Sequence, residues 1–581
     1  MSQLAKLKAA STLSDVARLL EVKPGMLSFL LYKTPKELRY AKFEIPKRSG
    51  GTREIWAPSR ELKLVQHRLS NLLQNCVEEI NATHGRNSTI GRPGVSHGFV
   101  RNRTTMTNAR EHVTRRRVFN VDLHDFFGTI NFGRVRGFLM KDRNFTLPEP
   151  VATVLAQIAC HDNKLPQGSP CSPIVSNLIG HTLDMLLVRL TTASGCTYTR
   201  YADDLTFSSN KPDFPSRIAK QDEHDQALWH PGQGLKRLIT KAGFSINDKK
   251  TRMQYRDSRQ EVTGLVVNRK VNVPATYRYA VRAMVDRAMK TGAFEFGGKG
   301  VDPAKGPRAG TNQQLLGMLS YIDQIDLFNR NLCLDNGLEP VETPGRIKLF
   351  RQFLYYDAFY ATSQPVIVCE GKTDNIYLKH AIKRLAASYP LLAESGTAVK
   401  LRVRLFKYGE RRTAQVTELT GGVGGICTLM KHYHADLSTK FKAPIPRHPV
   451  IILIDNDSGA DDIYGAVSGI TKAPKPKGMA PFIHVTGNVY VVPTPLGAKG
   501  EKTAIEDFFD STTLATELGG KTFSRAKKID TPTQYGKAAF ARDVVAKKAD
   551  SINFDGFKVI LQRIEAAITD YSARISPANT P

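Results

Sequence analysis

The 581-residue sequence has little that would cross-link it or anchor it in a membrane. Its seven cysteines are isolated, their number is odd and none forms a CxxC pair, so neither a disulfide framework nor a zinc ribbon is expected. No apolar run approaches the length of a membrane span, and the N-terminus lacks the apolar core of a signal peptide. We therefore expect a cytoplasmic protein that contacts no membrane.

Acidic residues are also scarce relative to basic ones. There are 83 Lys and Arg residues against 54 Asp and Glu residues, which gives a formal net charge of +29. A surface of this charge attracts polyanions, and nucleic acid is the commonest polyanion in a cell. The chain is too long for a single hydrophobic core, so two or three domains are expected.

The pattern along the chain changes once, near residue 362. Before this point, a small helical segment is followed by a basic β-hairpin (residues 43–58), an amphipathic helix and then mixed strands and helices. A Gly/Pro/Lys-rich flexible stretch covers residues 291–313. After Pro365, buried parallel strands alternate with helices. The predicted domains are 1–40 (helical segment), 41–270 and 271–361 in the first half, and 362–510 and 511–581 in the second, the last being a helical, basic tail.

Two apolar strands in the first half end in acidic residues. The stretch "CTYTRYADDLTFSS" (196–209) predicts strand, tight turn and strand, with Asp203 and Asp204 at the turn. In "FNVDLHDFFGTI" (119–130) a strand ends at Asp122, with Asp125 as the alternative ligand. Adjacent carboxylates repel each other unless cations lie between them. Three such carboxylates would suit the two Mg²⁺ ions of a nucleotide polymerase.

These motifs resemble the reverse transcriptase family. "YADD" is its signature turn, "LPQGSPCSP" (165–173) its Pro-Gln-Gly loop, and "IPKRSGGTREI" (45–55) and "GFSINDKKT" (243–251) fall in the family's order and spacing. The resemblance implies a right-hand polymerase with fingers and palm in 41–270 and a helical thumb in 271–361. It also implies metal binding by Asp122, Asp203 and Asp204, triphosphate contacts by Lys47 and Arg53, a nucleotide and template site lined by Gln167 and Gly168, and assistance to the leaving group by Lys250.

Phe127 lies five residues beyond Asp122, where the family places a bulky ring against the 2′ position of the sugar. An aromatic ring there would clash with ribose and select deoxynucleotides. A core phenylalanine is the alternative, and for Phe126 that alternative is the better interpretation.

Two short motifs resemble signatures of retron reverse transcriptases: "NAREH" (108–112) and "VTG" (262–264). The resemblance implies a bacterial enzyme that copies a dedicated non-coding RNA from a guanosine 2′-hydroxyl, giving branched RNA-linked DNA (msDNA) that stays bound. Host RNase H is an expected partner, and the thumb would contact RNA phosphates. Asn108, His112, Val262, Thr263 and Gly264 are the predicted RNA-binding residues.

A second pair of strands ends in carboxylates in the C-terminal half. One predicted strand ends at Glu370 and is followed by a Gly turn, in "PVIVCEGKTDNIYL" (365–378). Another ends at Asp455 and Asp457, in "VIILIDNDSGADD" (450–462). Carboxylates at the carboxyl ends of parallel strands form a metal site in the crevice where α/β sheets bind ligands. The alternative for 455–462 is a calcium-like or solvated loop, although the EF-hand spacing fails. Lys372 and Asp374 are interpreted as residues of a helix start.

The order Glu-Gly, then Asp-x-Asp, resembles the TOPRIM family, with "GGVGG" (421–425) between the two motifs. The resemblance implies a Rossmann-like fold over 362–510 and one or two Mg²⁺ ions. Glu506 and Asp507 are expected to complete a second metal position, with a solvated helix face as the alternative. The tail is too short for a topoisomerase, so a nuclease fused to the polymerase is expected, acting as a toxic anti-phage effector restrained by the RNA–DNA. RNA is slightly favoured over DNA as its substrate, and a homo-oligomer is expected. The alternatives are a mobile-element enzyme that nicks its target and a C-terminal module that only binds nucleic acid.

Overall fold

A computed structural model describes residues 2–47, 50–84, 94–296, 308–340, 343–409, 411–526 and 529–576. The chain forms two compact units: Met1–Arg278, Gly298–Gly306 and Gln324–Val341 form the first, and Tyr279–Gly297, Pro307–Asp323 and Glu342–Pro581 form the second. The predicted thumb is therefore divided between the units. Its predicted flexible loop lies partly outside the described residues, at 297–307.

The first unit contains ten helices and ten strands among its described residues up to Val266, besides a π-helical turn at Phe29–Lys33. The helices are α1 Gln3–Ala9, α2 Leu13–Leu19, α3 Pro24–Ser28, α4 Lys36–Arg39, α5 Arg60–Thr83, α6 Thr105–Arg110, α7 Phe132–Lys141, α8 Glu149–Ala159, α9 Ser172–Ser194 and α10 Gln233–Lys241. The strands are β1 Tyr40–Pro46, β2 Thr52–Pro58, β3 Arg117–Leu123, β4 Thr197–Tyr201, β5 Asp204–Ser209, β6 Ala219–Gln221, β7 Trp229–Pro231, β8 Ile246–Tyr255, β9 Glu261–Val262 and β10 Leu265–Val266.

A four-stranded antiparallel sheet, in the order β4-β5-β3-β8, is the centre of this unit. Its strands contain the aromatic and β-branched residues that favour extended backbone, and Phe119, Val121, Leu205 and Phe207 are buried in one core. The predicted hairpin is confirmed as the antiparallel pair β1 and β2. The predicted amphipathic helix is confirmed as part of α5, whose first turn is capped by Ser59.

Two helices, α11 Ala275–Thr291 and α12 Asn312–Asp335, have residues in both units. The other elements of the second unit are β11 Glu295–Phe296, β12 Arg308–Ala309, α13 Pro344–Tyr355, β13 Val366–Cys369, α14 Asp374–Arg384, β14 Ala393–Glu394, β15 Lys400–Leu401, β16 Arg404–Leu405, α15 Arg411–Thr417, α16 Gly422–Thr439, β17 Val450–Ile454, α17 Ala460–Thr471, β18 Ile483–Thr486, β19 Val489–Pro493, α18 Ser511–Leu514, β20 Thr522–Phe523, β21 Gln534–Tyr535, α19 Lys537–Ala539 and α20 Lys558–Arg574. Short 3₁₀ or π-helical turns cover Tyr356–Tyr360, Ala386–Ser388, Ile505–Phe508, Phe540–Val545 and Asp555–Phe557.

The second unit is built on a five-stranded sheet in the order β16-β13-β17-β19-β18. All neighbouring strands are parallel except the edge pair β18 and β19. Every residue of β13, β17 and β19 is buried, and for β13 and β17 the apolar runs predicted this. A third buried strand predicted at 400–406 is instead two short, partly exposed strands, β15 and β16. The central pair β13 and β17 places the ends of two non-consecutive strands side by side.

The C-terminal tail is less helical than predicted. Its helices are separated by loops and by the short parallel pair β20 and β21. Residues such as Phe540, Phe557 and Ile564 are buried in the same core as Ile367 and Ile451 of the sheet. Residues after 510 therefore complete the core of the second unit. No helix in the described part of the chain is long and apolar enough to cross a membrane.

Candidate active sites

The "YADD" turn connects β4 to β5 in the first unit. Ala202 adopts a left-handed backbone (φ 57°), which turns the chain sharply so that Tyr201 pairs with Asp204 across the hairpin. Asp204 also lies directly opposite Asp122 on β3. The carbonyl oxygen of Asp203 accepts a hydrogen bond of 3.0 Å from the backbone N–H of Leu123. The structure thus brings the three predicted carboxylates together at one end of the sheet.

The electrostatics of this turn show that the carboxylates affect one another. Burial, which removes the carboxylates from water, is the largest cause of the raised pKa of Asp203. It is also the largest cause of the rise in the pKa of Asp204 to about 6. The neighbouring carboxylates raise these pKa values further. Arg53 on β2 is close enough to oppose the rise at Asp203. A divalent cation would relieve this repulsion, and carboxylate oxygens are the ligands that Mg²⁺ prefers.

Strand β8 supplies two side chains to Asp122. Lys250 Nζ donates to one carboxylate oxygen of Asp122 at 3.0 Å, and Asn247 Nδ2 donates to the other, also at 3.0 Å. Lys250 therefore lies at the acidic cluster, as the family resemblance implied, and Asn247 is a contact that sequence reasoning missed. The alternative ligand Asp125 lies past the end of β3 with a left-handed backbone, and its carboxylate closely approaches Gly128.

The Pro-Gln-Gly loop lies against the β1–β2 hairpin. The backbone N–H of Trp56 donates to the carbonyl oxygen of Gln167 at 2.7 Å. Gly168 has a φ of 117°, and a Cβ atom there would lie 2.7 Å from the carbonyl oxygen of Trp56, so no other residue fits. Arg53 is in the same strand as Trp56, and Lys47, an exposed residue, follows β1.

The two adjacent phenylalanines differ as predicted in their surroundings. Phe126 is only 3% exposed, and its ring stacks on Phe244 with centroids 5.4 Å apart. Phe127 is half-buried, and its ring lies 6.2 Å from that of Phe99. Phe127 therefore keeps accessible surface, whereas Phe126 is a core residue. The selection of deoxynucleotides by Phe127 stays a prediction.

The second carboxylate cluster lies at the carboxyl ends of β13 and β17. Glu370 follows β13, and its backbone N–H donates to the carbonyl oxygen of Leu453 at 3.0 Å. Asp455 follows β17, and its backbone N–H lies 3.4 Å from a carboxylate oxygen of Glu370. Asp457 is half-buried and accepts a hydrogen bond from the backbone of Gly459 at 2.7 Å. The predicted strand-end arrangement is what the structure contains.

Burial and mutual repulsion raise the pKa values of this cluster. Removal from water, followed by the charge of Asp457, raises the pKa of Glu370 to about 7. Removal from water, followed by the charge of Asp374, raises the pKa of Asp455 to about 8. Perturbed carboxylates that share one cleft are typical of metal and catalytic sites.

Sequence reasoning missed two members of the second cluster, Asp374 and Lys537, and one buried amide between its two aspartates. Asp374 begins α14, as predicted, but it is also buried and raises the pKa of Asp455. Lys537 of α19 donates to Glu506 at 3.0 Å, and its charge acts on both Asp374 and Asp455. Asn456, between Asp455 and Asp457, is buried and donates to the carbonyl oxygens of residues 478 and 494.

Glu506 and Asp507 have different surroundings. Glu506 is fully buried, and one of its carboxylate oxygens has no hydrogen-bond partner. Asp507 instead caps the backbone N–H of Ala504 and pairs with Arg525. Among the described residues, no three acidic, histidine or cysteine side chains are already arranged around a metal position. The fit of Mg²⁺ to both clusters therefore rests on the chemistry of the donors and on their convergence.

The glycine-rich stretch leads into α16 beside the second cluster. Gly421 and Gly422 have φ values of 94° and 77°, and the backbone N–H of Gly422 donates to the carbonyl oxygen of Glu370 at 2.9 Å. These glycines fix the backbone next to the first carboxylate.

The two short signatures are mostly buried, which corrects the prediction that all five of their residues bind RNA. Asn108, His112 and Val262 are at most 1% exposed. His112 uses both ring nitrogens, with Ser208 Oγ and Thr199 Oγ1 each at 2.7 Å. These side chains present no surface to RNA, because they pack the palm sheet against α6 and β9. Thr263 and Gly264 form the left-handed turn between β9 and β10.

Comparisons with known proteins agree with the first half of the sequence interpretation. Residues 45–274 match the family described as reverse transcriptase (RNA-dependent DNA polymerase). Retron Mx65 reverse transcriptase of Myxococcus xanthus is 34% identical over 300 residues, which cover 48% of this chain and 64% of the relative. Retron Mx162 reverse transcriptase of the same organism is 36% identical over 244 residues, which cover 39% and 47%. The chain thus spans less than two thirds of the length of either relative.

Among solved structures, telomerase from Candida albicans in complex with a fragment of telomeric RNA aligns over 55% of this chain and 60% of its own. The identity is 9% and the TM-score 0.29, values from which nothing is inferred. The family match and the curated relatives confirm the predicted reverse transcriptase fold and the similarity to retron enzymes. The family match ends at residue 274, so the TOPRIM assignment stays a prediction.

Proposed function

We propose that the first unit is an RNA-directed DNA polymerase of the retron type. It would copy a dedicated non-coding RNA into msDNA from deoxynucleoside triphosphates, with host RNase H as a partner. The observation that supports this most directly is the register of the palm sheet, in which Asp122 lies opposite Asp204 and beside Asp203. The matches to reverse transcriptases, two of them retron enzymes, support the same function.

The chain's own residues have distinct tasks in this proposal. Asp122, Asp203 and Asp204 would hold the ions, and Lys250, which donates to Asp122, would be placed to donate to the departing phosphate oxygen. Arg53, whose charge acts on Asp203, orients the incoming triphosphate together with Lys47. Mg²⁺, when bound, supplies a Lewis acid that favours the deprotonated form of an attacking hydroxyl or water and neutralises charge on the departing oxygen.

The test is a denaturing gel of the nucleic acid that copurifies with the chain when it is expressed with its native flanking DNA. Lanes treated with RNase or DNase identify each component. We expect a discrete small species, part RNA and part DNA, that is absent from Asp203→Asn/Asp204→Asn. The matched control is Asp213→Asn, because Asp213 is exposed and outside the cluster. Heterogeneous RNA in every sample would favour the mobile-element enzyme instead.

We propose further that the second unit is a Mg²⁺-dependent nuclease of the TOPRIM type. Glu370 and Asp455 project from adjacent parallel strands, and Asp374 and Glu506 extend the acidic cluster behind them. Glu370, Asp455 and Asp457 would hold one or two ions, and the unpartnered oxygen of Glu506 is a further ligand atom. Lys537 would supply positive charge toward a scissile phosphate. RNA is the favoured substrate over DNA.

We propose also, from the resemblance to retron enzymes, that the second unit is an effector that is toxic when released. In this proposal the bound RNA–DNA of a homo-oligomeric particle restrains the nuclease until phage infection disturbs it. The particle mass, measured with its nucleic acid, tests the assembly. A monomeric mass would exclude that part of the proposal and leave the two activities standing.

The alternative for the second unit is a binding module without catalysis. We would incubate labelled RNA and DNA with the purified chain, before and after digestion of its bound nucleic acid, in Mg²⁺ or in a chelator. Cleavage in Mg²⁺ that is lost in Glu370→Gln supports the nuclease. Glu394→Gln is the matched control, since Glu394 is exposed in the same unit. If Glu370→Gln keeps the full anti-phage effect of the chain, the second unit is a binding module.

A further inference from the structure

A buried ion pair lies directly behind the "YADD" turn. Arg200, the residue before Tyr201, is fully buried, and the side chain of Asp184 on α9 is only 5% exposed. Arg200 Nε and Nη2 donate to the two carboxylate oxygens of Asp184, each at 2.8 Å. This bidentate geometry fixes the plane of the guanidinium group.

The third nitrogen of the guanidinium group contacts the turn itself. Arg200 Nη1 donates to the carbonyl oxygen of Ala202 at 3.2 Å and to Asn177 Oδ1 at 3.1 Å. Ala202 is the residue whose left-handed backbone creates the turn, and that conformation is unfavourable for a residue with a Cβ atom. One side chain therefore joins α9 to the carbonyl group at the centre of the turn.

Two glycines pack closely against this network. A Cβ atom at Gly180 would lie 2.9 Å from the guanidinium carbon of Arg200. A Cβ atom at Gly98 would lie 2.5 Å from the backbone nitrogen of Ala202. The amide of Asn177 also donates to the carbonyl oxygen of Gly98 at 2.7 Å. The turn and its arginine are thus packed closely against Gly98 and Gly180, where no side chain would fit.

Stability alone does not explain such a pair, because well-packed apolar residues of similar volume usually stabilise a core at least as well as a buried ion pair. We propose that Arg200, held by Asp184, is a positioning residue that fixes the turn from Tyr201 to Asp204 and thereby aims the carboxylates of Asp203 and Asp204. The inference rests on the proposed polymerase function of the first unit.

The decisive variant is the apolar replacement Arg200→Met/Asp184→Leu, made together with Tyr198→Phe because the buried Tyr198 hydroxyl also donates to Asp184 at 2.9 Å. This replacement removes the network without leaving an unpaired buried charge or hydroxyl. We expect a folded protein whose kcat for primer extension is lower by about 30- to 100-fold, the loss typical of a reacting group misplaced by about 1 Å. KM for the nucleotide should stay within about threefold. Arg200→Lys, which keeps the charge but not the fork, should lose less activity than the apolar replacement.

The matched control is Arg136→Gln/Glu149→Gln, which removes an arginine–carboxylate pair elsewhere in the first unit. Its kcat should equal that of the unchanged chain. A folded Arg200→Met/Asp184→Leu/Tyr198→Phe variant with unchanged kcat would overturn the inference. An equal loss of kcat in that variant, in Arg200→Lys and in the Arg136→Gln/Glu149→Gln control would overturn it as well.

Hydrogen exchange separates this inference from the proposed function. The backbone N–H of Leu123 donates to the carbonyl oxygen of Asp203, so its exchange rate reports the position of the turn without any activity. We expect faster exchange there in the apolar replacement, with unchanged exchange in α5. If the exchange rate at Leu123 is the same in the apolar replacement, the positioning role is refuted. If the chain without substitutions fails to extend a primer, only the proposed polymerase function is refuted.

Discussion

Lys537 donates a hydrogen bond of 3.0 Å to a carboxylate oxygen of Glu506, which is fully buried. The side chain of Lys537 is 39% exposed, so it reaches the cluster from the solvent side. Its charge lowers the pKa of Glu506, which burial raises, and it acts on Asp374 and Asp455 as well. The tail of the chain thus supplies the cation that offsets part of the repulsion among these acids.

The first prediction concerns this pair. Lys537→Met leaves Glu506 buried and unpaired, and we expect the second unit to lose about 2–4 kcal/mol, slightly below the usual cost of breaking a fully buried pair because Lys537 is partly exposed. Lys537→Arg should retain most of the stability. Calorimetry or hydrogen exchange is the suitable measurement, because both tryptophans, Trp56 and Trp229, belong to the first unit.

A double-mutant cycle with Glu506→Gln tests the cause. The neutral amide no longer needs a cation, so Lys537→Met should cost much less in the Glu506→Gln background. Equal costs in both backgrounds would mean that Lys537 acts through packing of its aliphatic part.

The second prediction concerns pH. The pKa values of Glu370 (about 7) and Asp455 (about 8) lie above those of the unfolded chain, which are about 4.3 and 3.9. The folded unit therefore binds protons that the unfolded chain has released, and its unfolding free energy falls as pH rises through 7 to 8. In metal-free buffer we expect a melting temperature higher at pH 6 than at pH 8.5 by roughly 5–10 °C, the shift given by about 2–4 kcal/mol.

Two changes should reduce this pH dependence. Asp455→Asn eliminates the group with the more strongly raised pKa, and Mg²⁺ offsets the repulsion without any substitution. Glu394→Gln should leave the dependence intact. A melting temperature that rises from pH 6 to pH 8.5 would contradict the electrostatic description of the cluster.

Both clusters could be predicted from the sequence because their acidic residues directly follow apolar strands. An apolar strand followed at once by acids is visible in one dimension, and strand ends meet when strands are neighbours in a sheet. The resemblance implied that Asp122, Asp203 and Asp204 lie together, whereas the register that places Asp122 opposite Asp204 is visible only in the structure. The sequence could not reveal Lys537, because no local pattern relates that residue to Glu370 or Asp455. Asp374 was detectable, since it falls in the first helical turn after the Glu-Gly motif, where a side chain faces the strand end.

Burial was the property that sequence motifs predicted least well. The short signatures are expected to contact RNA because they resemble motifs of retron enzymes, and a motif does not show whether its side chains are exposed. In the structure, His112 instead bridges two hydroxyl groups of the palm sheet. Hydrogen bonds to Ser208 and Thr199 compensate for its burial, and only the tertiary structure shows that those partners exist.

The third prediction follows from this bridge. His112→Ala leaves two buried hydroxyl groups without partners, and we expect the first unit to lose about 2–3 kcal/mol. Tryptophan fluorescence during urea unfolding measures this loss, since Trp56 and Trp229 report on the first unit. The affinity of the folded variant for RNA should be unchanged. Weaker RNA binding at unchanged stability would restore the direct contact that the sequence suggested.

The same histidine gives the first unit an acid-sensitive element. Burial lowers the pKa of His112 to about 3, below the value of about 6.5 in an unfolded chain. The unfolded chain therefore binds a proton that the folded unit excludes, so His112 contributes a loss of stability as pH falls below about 6.5. The difference in unfolding free energy between the unchanged chain and His112→Asn should shrink between pH 7 and pH 5.

The fourth prediction concerns the choice of sugar. If the accessible edge of Phe127 excludes a 2′-hydroxyl, Phe127→Ala removes the clash with ribose. We then expect kcat/KM for ribonucleotides relative to deoxynucleotides to rise by about 10-fold or more, because the fit of one small group in a pocket is worth about 10- to 200-fold in discrimination. Phe126→Leu is the matched control. Because Phe126 is a core residue stacked on Phe244, its truncation should lower stability and leave the selectivity ratio unchanged. An unchanged ratio in Phe127→Ala would place Phe127 in the core with its neighbour, and a changed ratio in Phe126→Leu would mean that packing beneath the turn sets the sugar preference indirectly.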